Sequence, residues 1–196
     1  MSKLNILNIL RSKSSVFTFK ELLLASGEGK PLLLKRRLSY YVKTGELYAL
    51  RRGLYAKNKD YDRLESATKI FTPSYVSFET VLAQAGIIFQ HYKTIFVATY
   101  QTKEIVCDNQ TISFRKIKDT VLTNSAGVEN RGGYFVASKE RAFLDMLYLN
   151  KDYYFDNLAP LDFKKVFALL PIYNNKRMAQ RVQTYVKAFE KDKRPS

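Results

Sequence analysis

Residues 18–56 read TFKELLLASGEGKPLLLKRRLSYYVKTGELYALRRGLYA, from Thr18 to Ala56. Thr18-Phe19-Lys20-Glu21 has the form of a capping box: the threonine hydroxyl accepts from the backbone N–H three residues on, and the glutamate reaches back to the N–H of Thr18. Phe17 and Leu22 stand at the staple positions around it. A helix therefore starts here, and Gly27 or Gly29 ends the turn that follows. Pro31 suits the first position of a second helix, because the N–H it lacks would be unpaired there anyway. With Leu38 as the inward direction at 100° per residue, Leu34, Tyr41 and Val42 fall within about 60° of it. Arg36, Tyr40 and Lys43 fall on the opposite side, with Leu33 beside them and Arg37 and Ser39 on the flanks. Gly45 closes the helix as a C′ residue. Leu47 to Leu50 and Leu54 to Ala56 then predict a hairpin around Arg51-Arg52-Gly53, where glycine permits a positive φ.

Helix, turn, more basic helix and hairpin is the order of a winged helix-turn-helix, a DNA-binding module. An outward stripe of Arg, Tyr and Lys suits a major groove: Arg pairs bidentately with guanine, and Tyr or Ser reaches phosphate or base edges. Two arginines at a hairpin tip suit phosphates or the neighbouring minor groove. The expected DNA-contacting set is Lys30, Lys35, Arg36, Arg37, Ser39, Tyr40, Lys43, Arg51 and Arg52. The segment before it, SKLNILNILRSK, places Leu4, Leu7 and Leu10 near one helical face, with Ile6 and Ile9 widening it. It reads as the first helix of the module; it is short and lacks the aromatic face of an interfacial anchor.

Charge is segregated along the chain. The formal net charge is +15, and residues 1–57 hold twelve basic and three acidic side chains while residues 176–196 hold seven and two. Residues 58–175 hold fourteen and thirteen, so two basic ends flank a nearly neutral centre. Such segregation implies a polyanionic partner for the ends. No apolar run is long enough to cross a bilayer and no signal-peptide core follows Met1, so a cytoplasmic protein without a membrane partner is expected. The lone Cys107 excludes a disulfide framework and a multi-cysteine zinc site.

Lys57 to Arg63 is charged and without apolar periodicity. The boundary is placed there: residues 1–58 as the winged helix, 59–63 as a linker and 64–196 as a second domain. In that second part, Leu64 to Phe71 predicts a helix before Pro73, and Ser77 caps another that carries Val81, Leu82 and Ala85 and stops at Gly86. Thr94 to Tyr100, Glu104 to Val106 and Thr111 to Lys116 predict strands, with Asp108-Asn109 as a turn. Tyr134 to Ala137 adds a strand, and Ser138 caps a helix with Ala142, Phe143, Met146 and Leu147. Leu161 to Leu170 and Lys176 to Glu190 predict two more helices. In the last, Met178, Val182, Tyr185 and Phe189 recur at helical spacing and need something to pack on. Its charged side, with Lys176, Arg177, Arg181, Lys187 and Lys191, forms a second basic surface. The expected fold class is α+β: a winged helix followed by helices around a small, mostly antiparallel sheet.

Catalytic patterns are sparse. His91 lacks a nucleophile elbow or a reactive-cysteine context and reads as a loop or rim residue; no Gly-rich phosphate loop, dinucleotide fingerprint or HExxH occurs. A metal-dependent nuclease would need clustered carboxylates and a lysine. Asp162-Phe163-Lys164 is the nearest fragment, which Asp145 or Asp108 would have to join, but Asp162 stands where a helix-capping carboxylate belongs. Cys107 reads as a strand residue before a turn. No catalytic residue, metal or cofactor is expected, and the chain reads as a non-enzyme.

Three stretches carry a family resemblance. Arg52-Gly53-Leu54-Tyr55-Ala56 resembles the "R-G-hydrophobic-Y" wing of the AbiEi-type antitoxins of type IV toxin–antitoxin systems. Ser74 to Leu82, ending in Ala85-Gly86-Ile87, resembles the family's "Y-hydrophobic-S-x-x-S-x-L…H-G-hydrophobic" helix. Ala137 to Asp145 is similar to its "P-x-(K/R)-A-x-x-D" helix start. Thr80, Ala85 and Lys139 stand where Ser, His and Pro are common. The resemblance implies a winged helix that binds inverted repeats in its own promoter and represses the operon. It also implies a C-terminal domain that counters a cognate nucleotidyltransferase-like toxin and contributes to DNA binding. Systems of this class act in phage defence by abortive infection or stabilise mobile elements. The other readings are a winged-helix regulator with an unrelated sensing domain, and a nuclease that the winged helix targets to DNA.

Overall fold

Thr18 starts the first described helix as its side chain dictates. In the computed structural model, which describes residues 11–27 and 30–192, its hydroxyl accepts from the Glu21 N–H at 3.1 Å, and the Glu21 carboxylate takes the Thr18 N–H at 2.6 Å. The expected helix around Leu4, Leu7 and Leu10, and Gly29, lie outside the described residues. Helix α1 spans Phe19–Ser26 and ends at Gly27 in the left-handed region, φ +60°. Helix α2 spans Pro31–Lys43 with the proline in its first turn. It ends as a Schellman motif: Gly45 N–H bonds Val42 C=O at 3.2 Å and Glu46 N–H bonds Tyr41 C=O at 2.9 Å. The hairpin is β2 (Tyr48–Arg51) and β3 (Leu54–Ala56), with Gly53 at φ +81°.

Ser14 to Phe17 reads in the sequence as a short extended link before Thr18, and the structure gives it a larger part. Val16–Thr18 forms strand β1, antiparallel to β3 with Val16 opposite Ala56, so the small sheet has the order β1-β3-β2. Leu34 and Leu38 are fully buried against Phe17, Leu22 and Leu47, and Tyr41 and Val42 pack on this core half-exposed. Each buried leucine is worth about 1.5–3 kcal/mol, whereas an exposed ion pair is worth about 0–1 kcal/mol. The apolar stripe therefore sets the rotation of α2, and its basic side faces outward as a consequence.

Beyond Lys57, Asp62 caps helix α3 (Arg63–Ile70), one residue earlier at each end than the periodicity suggests. Then come β4 (Ser74–Val76), α4 (Phe78–Gln84), β5 (Ile95–Thr99), β6 (Lys103–Cys107), β7 (Gln110–Lys116) and the short α5 (Asp119–Leu122). They are followed by β8 (Val128–Asn130), β9 (Phe135–Ala137), α6 (Lys139–Leu149), α7 (Phe163–Leu169), a 3-10 turn at Leu170–Tyr173 and α8 (Lys176–Asp192). The second sheet has the order β6-β7-β5-β4-β9-β8. Its β5–β7 and β4–β9 pairs are parallel and the other three are antiparallel. The chain is α+β, with a three-stranded and a larger mixed sheet. Among the described residues no helix is long and apolar enough to cross a membrane.

Strand β5 alternates between two cores, as a strand covered on both faces must. Ile95 and Val97 face a cluster with Val16, Leu50, Leu54 and Ala56 of the small sheet and Ala67 of α3. Phe96 and Ala98 face the larger core, built with α4, α6 and α8. The winged helix is thus packed onto one face of the body. Polar ties reinforce this: the hydroxyls of Tyr48 and Tyr61 both donate to Asp108 at 2.9 and 2.8 Å, and Glu65 accepts the Ser15 N–H at 2.8 Å.

Glu21 serves both its own helix and this junction, because Lys69 of α3 lies 3.1 Å from its carboxylate. Partial burial pushes the Glu21 carboxyl up, but the Thr18 N–H and Lys69 together outweigh it and hold it below its ordinary value. A depressed folded value means that this contribution to stability is present above the unfolded value of about 4.3 and is lost as pH falls through the lower folded one. Glu21→Gln should accordingly flatten the acid limb of a stability-versus-pH curve. An unchanged acid limb, read by urea unfolding at several pH values, would show that the carboxylate is not held this way.

One expected cap takes a different role. Ser77 occupies the N-cap position of α4 but makes no side-chain capping bond; its hydroxyl donates instead to Asp145 at 2.8 Å. Phe78 enters α4 at φ +54°, a left-handed value uncommon for a bulky side chain. Ser138 caps α6 as expected, accepting from the Arg141 N–H at 3.2 Å.

Candidate functional site

The outward side of α2 carries Arg36, Ser39, Tyr40 and Lys43, all exposed, with Tyr40 at 61%. No acidic residue lies between Pro31 and Lys43, so no carboxylate on the helix itself neutralises that side. Lys35 is exposed and holds its ammonium 5.7 Å from the Phe19 ring, and Tyr40 packs edge-on against Tyr41 at 6.0 Å. Lys30 is exposed just before the helix and makes no side-chain capping bond. Arg37 is the half-buried member of the set. At the wing, Arg51 and Arg52 are exposed, and they border a depression of about 390 Å³ that Lys20 and Lys69 also line. Lys20 was not among the expected contact residues. Its place beside the wing comes from the hairpin folding back on the start of α1, where Phe19 N–H bonds Gly53 C=O at 2.8 Å.

The C-terminal helix behaves as its periodicity requires. Met178 and Val182 are fully buried, Tyr185 packs on Phe143 and Phe155, and Phe189 lies 5.4 Å from Phe163. Lys176, Arg177, Lys187 and Lys191 are exposed. Arg181 is committed inward: its guanidinium donates to the carbonyls of Asn150 and Lys151 at 3.1 and 2.9 Å, beyond the C-terminal end of α6, where a cation is favoured. Because α8 joins the core on the Phe96 face and the winged helix the core on the Ile95 face, the two basic surfaces lie on opposite faces of the central sheet.

The carboxylates considered for metal chemistry occupy three separate places. Asp162 caps α7, accepting from the N–H groups of Lys164 and Lys165 at 3.0 and 3.3 Å. Asp108 receives the Tyr48 and Tyr61 hydroxyls. Asp145 is fully buried. His91 is an exposed loop residue, and Cys107 is a buried residue at the end of β6. Among the described residues no three His, Cys, Asp or Glu side chains gather as a metal site requires.

Asp145 belongs to a buried polar centre. Its Oδ2 accepts from Tyr75 at 3.0 Å and from Ser77 at 2.8 Å; its Oδ1 accepts from Tyr173 at 2.6 Å and from Arg141 Nε at 3.3 Å. The Arg141 guanidinium, also fully buried, donates further to Tyr75 and to the carbonyls of Val121 and Ala126 at 3.2, 2.7 and 2.8 Å. Burial pushes the Asp145 carboxyl up, while Arg141 and the three hydroxyls pull it back; the net direction is upward. Burial, with Asp145 adding to it, drives the Tyr75 and Tyr173 phenols well above their ordinary range, so both act as neutral donors. A charged pair with this many partners clamps β4, α6, the loop after α5 and the 3-10 turn together. Tyr75 and Ser77 come from one of the stretches that carry the family resemblance, and Arg141 and Asp145 from another. In the sequence, Arg141 and Asp145 are the Arg-Ala-x-x-Asp of that stretch; apart from the resemblance they form an i,i+4 charge pair, which on most helices is a solvated pair.

Comparison with known proteins adds a likeness of fold. No family model matches the chain, and no curated protein matches it. Among solved structures, the crystal structure of the RV2827C protein from Mycobacterium tuberculosis superposes on 90% of this chain and 73% of its own, with a TM-score of 0.50 at 12% sequence identity.

Proposed function

We propose that this protein is a DNA-binding antitoxin that represses its own operon through the winged helix and counters a cognate nucleotidyltransferase-like toxin through the body. The observation that carries the DNA half is the outward side of α2. Arg36, Ser39, Tyr40 and Lys43 are exposed there without a carboxylate on the helix, and the Arg51-Arg52 wing belongs to the same small sheet. A helix presented this way, with a hairpin beside it, suits a major groove and its flanking phosphates. The antitoxin half is supported by the resemblance of the three stretches, two of which supply the ion pair and two of the three hydroxyls of the buried centre, Tyr75 and Ser77. On this reading the chain acts by binding and needs no cofactor. An inverted-repeat operator takes two heads, one per half-site.

Two experiments test the two halves separately. Gel shifts on the DNA upstream of the gene should show specific binding that weakens as salt rises, because neutralised phosphates release counterions. Co-expression with the adjacent gene should relieve that gene's toxicity. Specific DNA binding without relief would leave a winged-helix regulator with another partner; relief without DNA binding would remove autorepression.

A further inference from the structure

The depression between the wing and the start of α1 is lined by four cations, Lys20, Arg51, Arg52 and Lys69, and by no carboxylate. Lys69 is committed to the fold: Glu21 and Glu65 lie 3.1 and 3.3 Å from its ammonium, which also donates to the Val16 carbonyl at 2.6 Å. Lys20, Arg51 and Arg52 are exposed, and none of them makes an ion pair among the described residues. Stability gives no reason for Lys20, because the first turn of a helix disfavours a cation and two arginines beside it add like-charge repulsion. Phe19 also lines the depression, and the Lys35 ammonium of α2 lies 5.7 Å from its ring. The basic residues of α2 and the depression therefore share a border at Phe19.

We propose that this depression seats backbone phosphates of bound duplex DNA, and that Lys20 grips them together with Arg51 and Arg52. The inference rests on the DNA half of the proposed function and adds to it a contact residue outside both the reading helix and the hairpin tip. A phosphate placed here neutralises charges that otherwise repel one another, and its own counterions are released. The Phe19 N–H bond to Gly53 C=O at 2.8 Å ties the wing to the start of α1. The three cations are thus gathered around one space before DNA arrives, which leaves less ordering to be done on binding. A dedicated small-anion site would enclose its ligand among convergent, fixed polar groups. Here the cations are exposed and the depression opens toward α2, which suits a strand running past.

The test uses the full-length protein with two fluorescein-labelled duplexes, one from the DNA upstream of the gene and one scrambled, read by anisotropy over a chloride series. Lys20→Ala should weaken binding to both duplexes alike, by about tenfold at low salt. It should also make the slope of log affinity against log salt shallower by about one, and Lys20→Arg should restore both. Thermal melts should show Lys20→Ala folded and no less stable, since alanine is the better helix former. A scan of single methylphosphonate linkages should find a phosphate whose neutralisation weakens the unaltered protein but makes no further difference to Lys20→Ala. Duplex binding indifferent to Lys20→Ala overturns the inference and leaves the DNA reading standing. A loss confined to the upstream duplex overturns it as well, by making Lys20 a reader of bases. Tight binding of inorganic phosphate that leaves duplex affinity unchanged marks a free-anion site and also overturns it. An unaltered protein that binds neither duplex overturns the inference and the DNA reading together.

Discussion

Replacing Asp145 by alanine should destabilise the protein by about 3–5 kcal/mol, because it leaves the Arg141 guanidinium buried and without its counter-charge. The guanidinium is fully buried, its remaining partners are neutral carbonyls and one phenol, and three hydroxyls lose their acceptor with the carboxylate. Against a typical total stability of about 5–15 kcal/mol, that loss leaves little. The chain has no tryptophan, so urea unfolding is best followed by far-ultraviolet circular dichroism. A comparison separates the pair from the cavity: Arg141→Met with Asp145→Leu removes both charges and should recover much of the loss, as apolar replacements of buried pairs commonly do. A loss under about 1 kcal/mol for Asp145→Ala, within the range of an exposed pair, would mean that the centre is open to water and that this account of it is wrong.

Alanine at Arg36, Tyr40 and Lys43 together should weaken operator binding by about a hundredfold or more and erase the preference for operator over random DNA. Each good base contact is worth about 1–3 kcal/mol of discrimination. Arg51→Ala with Arg52→Ala should act differently. If the wing touches phosphates, affinity for all sequences falls together, and the slope of log affinity against log salt becomes shallower by about two. Arg37 is left out of the first set because its half-buried side chain is part of the fold as well as the surface. The decisive measurement is a salt series of gel shifts with operator and scrambled duplexes. Unchanged affinity after the triple substitution would sink the assignment of α2 as the reading helix, whatever the wing does.

The winged helix was legible because its signals are local. Thr18 and Glu21 are three residues apart, Pro31 and Gly45 bracket α2, and the period of Leu34, Leu38, Tyr41 and Val42 states which side is inward. Each of these acts within one or two turns of chain, where covalent spacing already brings the groups together. Strand β4 was not legible because its partner is distant, Val76 meeting Val136 sixty residues away, and β8 because Val128 is followed by exposed Glu129 and Asn130, which carry no strand pattern. β1 read only as an extended link, although Val16 finds its partner in Ala56. Side-chain roles divided the same way. Asp162 and Ser138 cap the helices that follow them, as their positions suggest, whereas Ser77 turns from its own helix to a carboxylate sixty-eight residues on. Arg181 reads as part of a basic stripe until α6 ends beside it. Asp145 and Arg141 stand at motif positions in the sequence, but their i,i+4 spacing by itself suits an ordinary surface pair. Burial makes them a clamp, and burial is a property of what packs around a residue, not of the residue itself. Capping geometry and apolar period, carried by near neighbours, determine the helix ends and which side of α2 turns inward. Strand order, the seating of the head on the body and the burial of the charge pair follow from contacts between distant segments, which only the folded chain brings together.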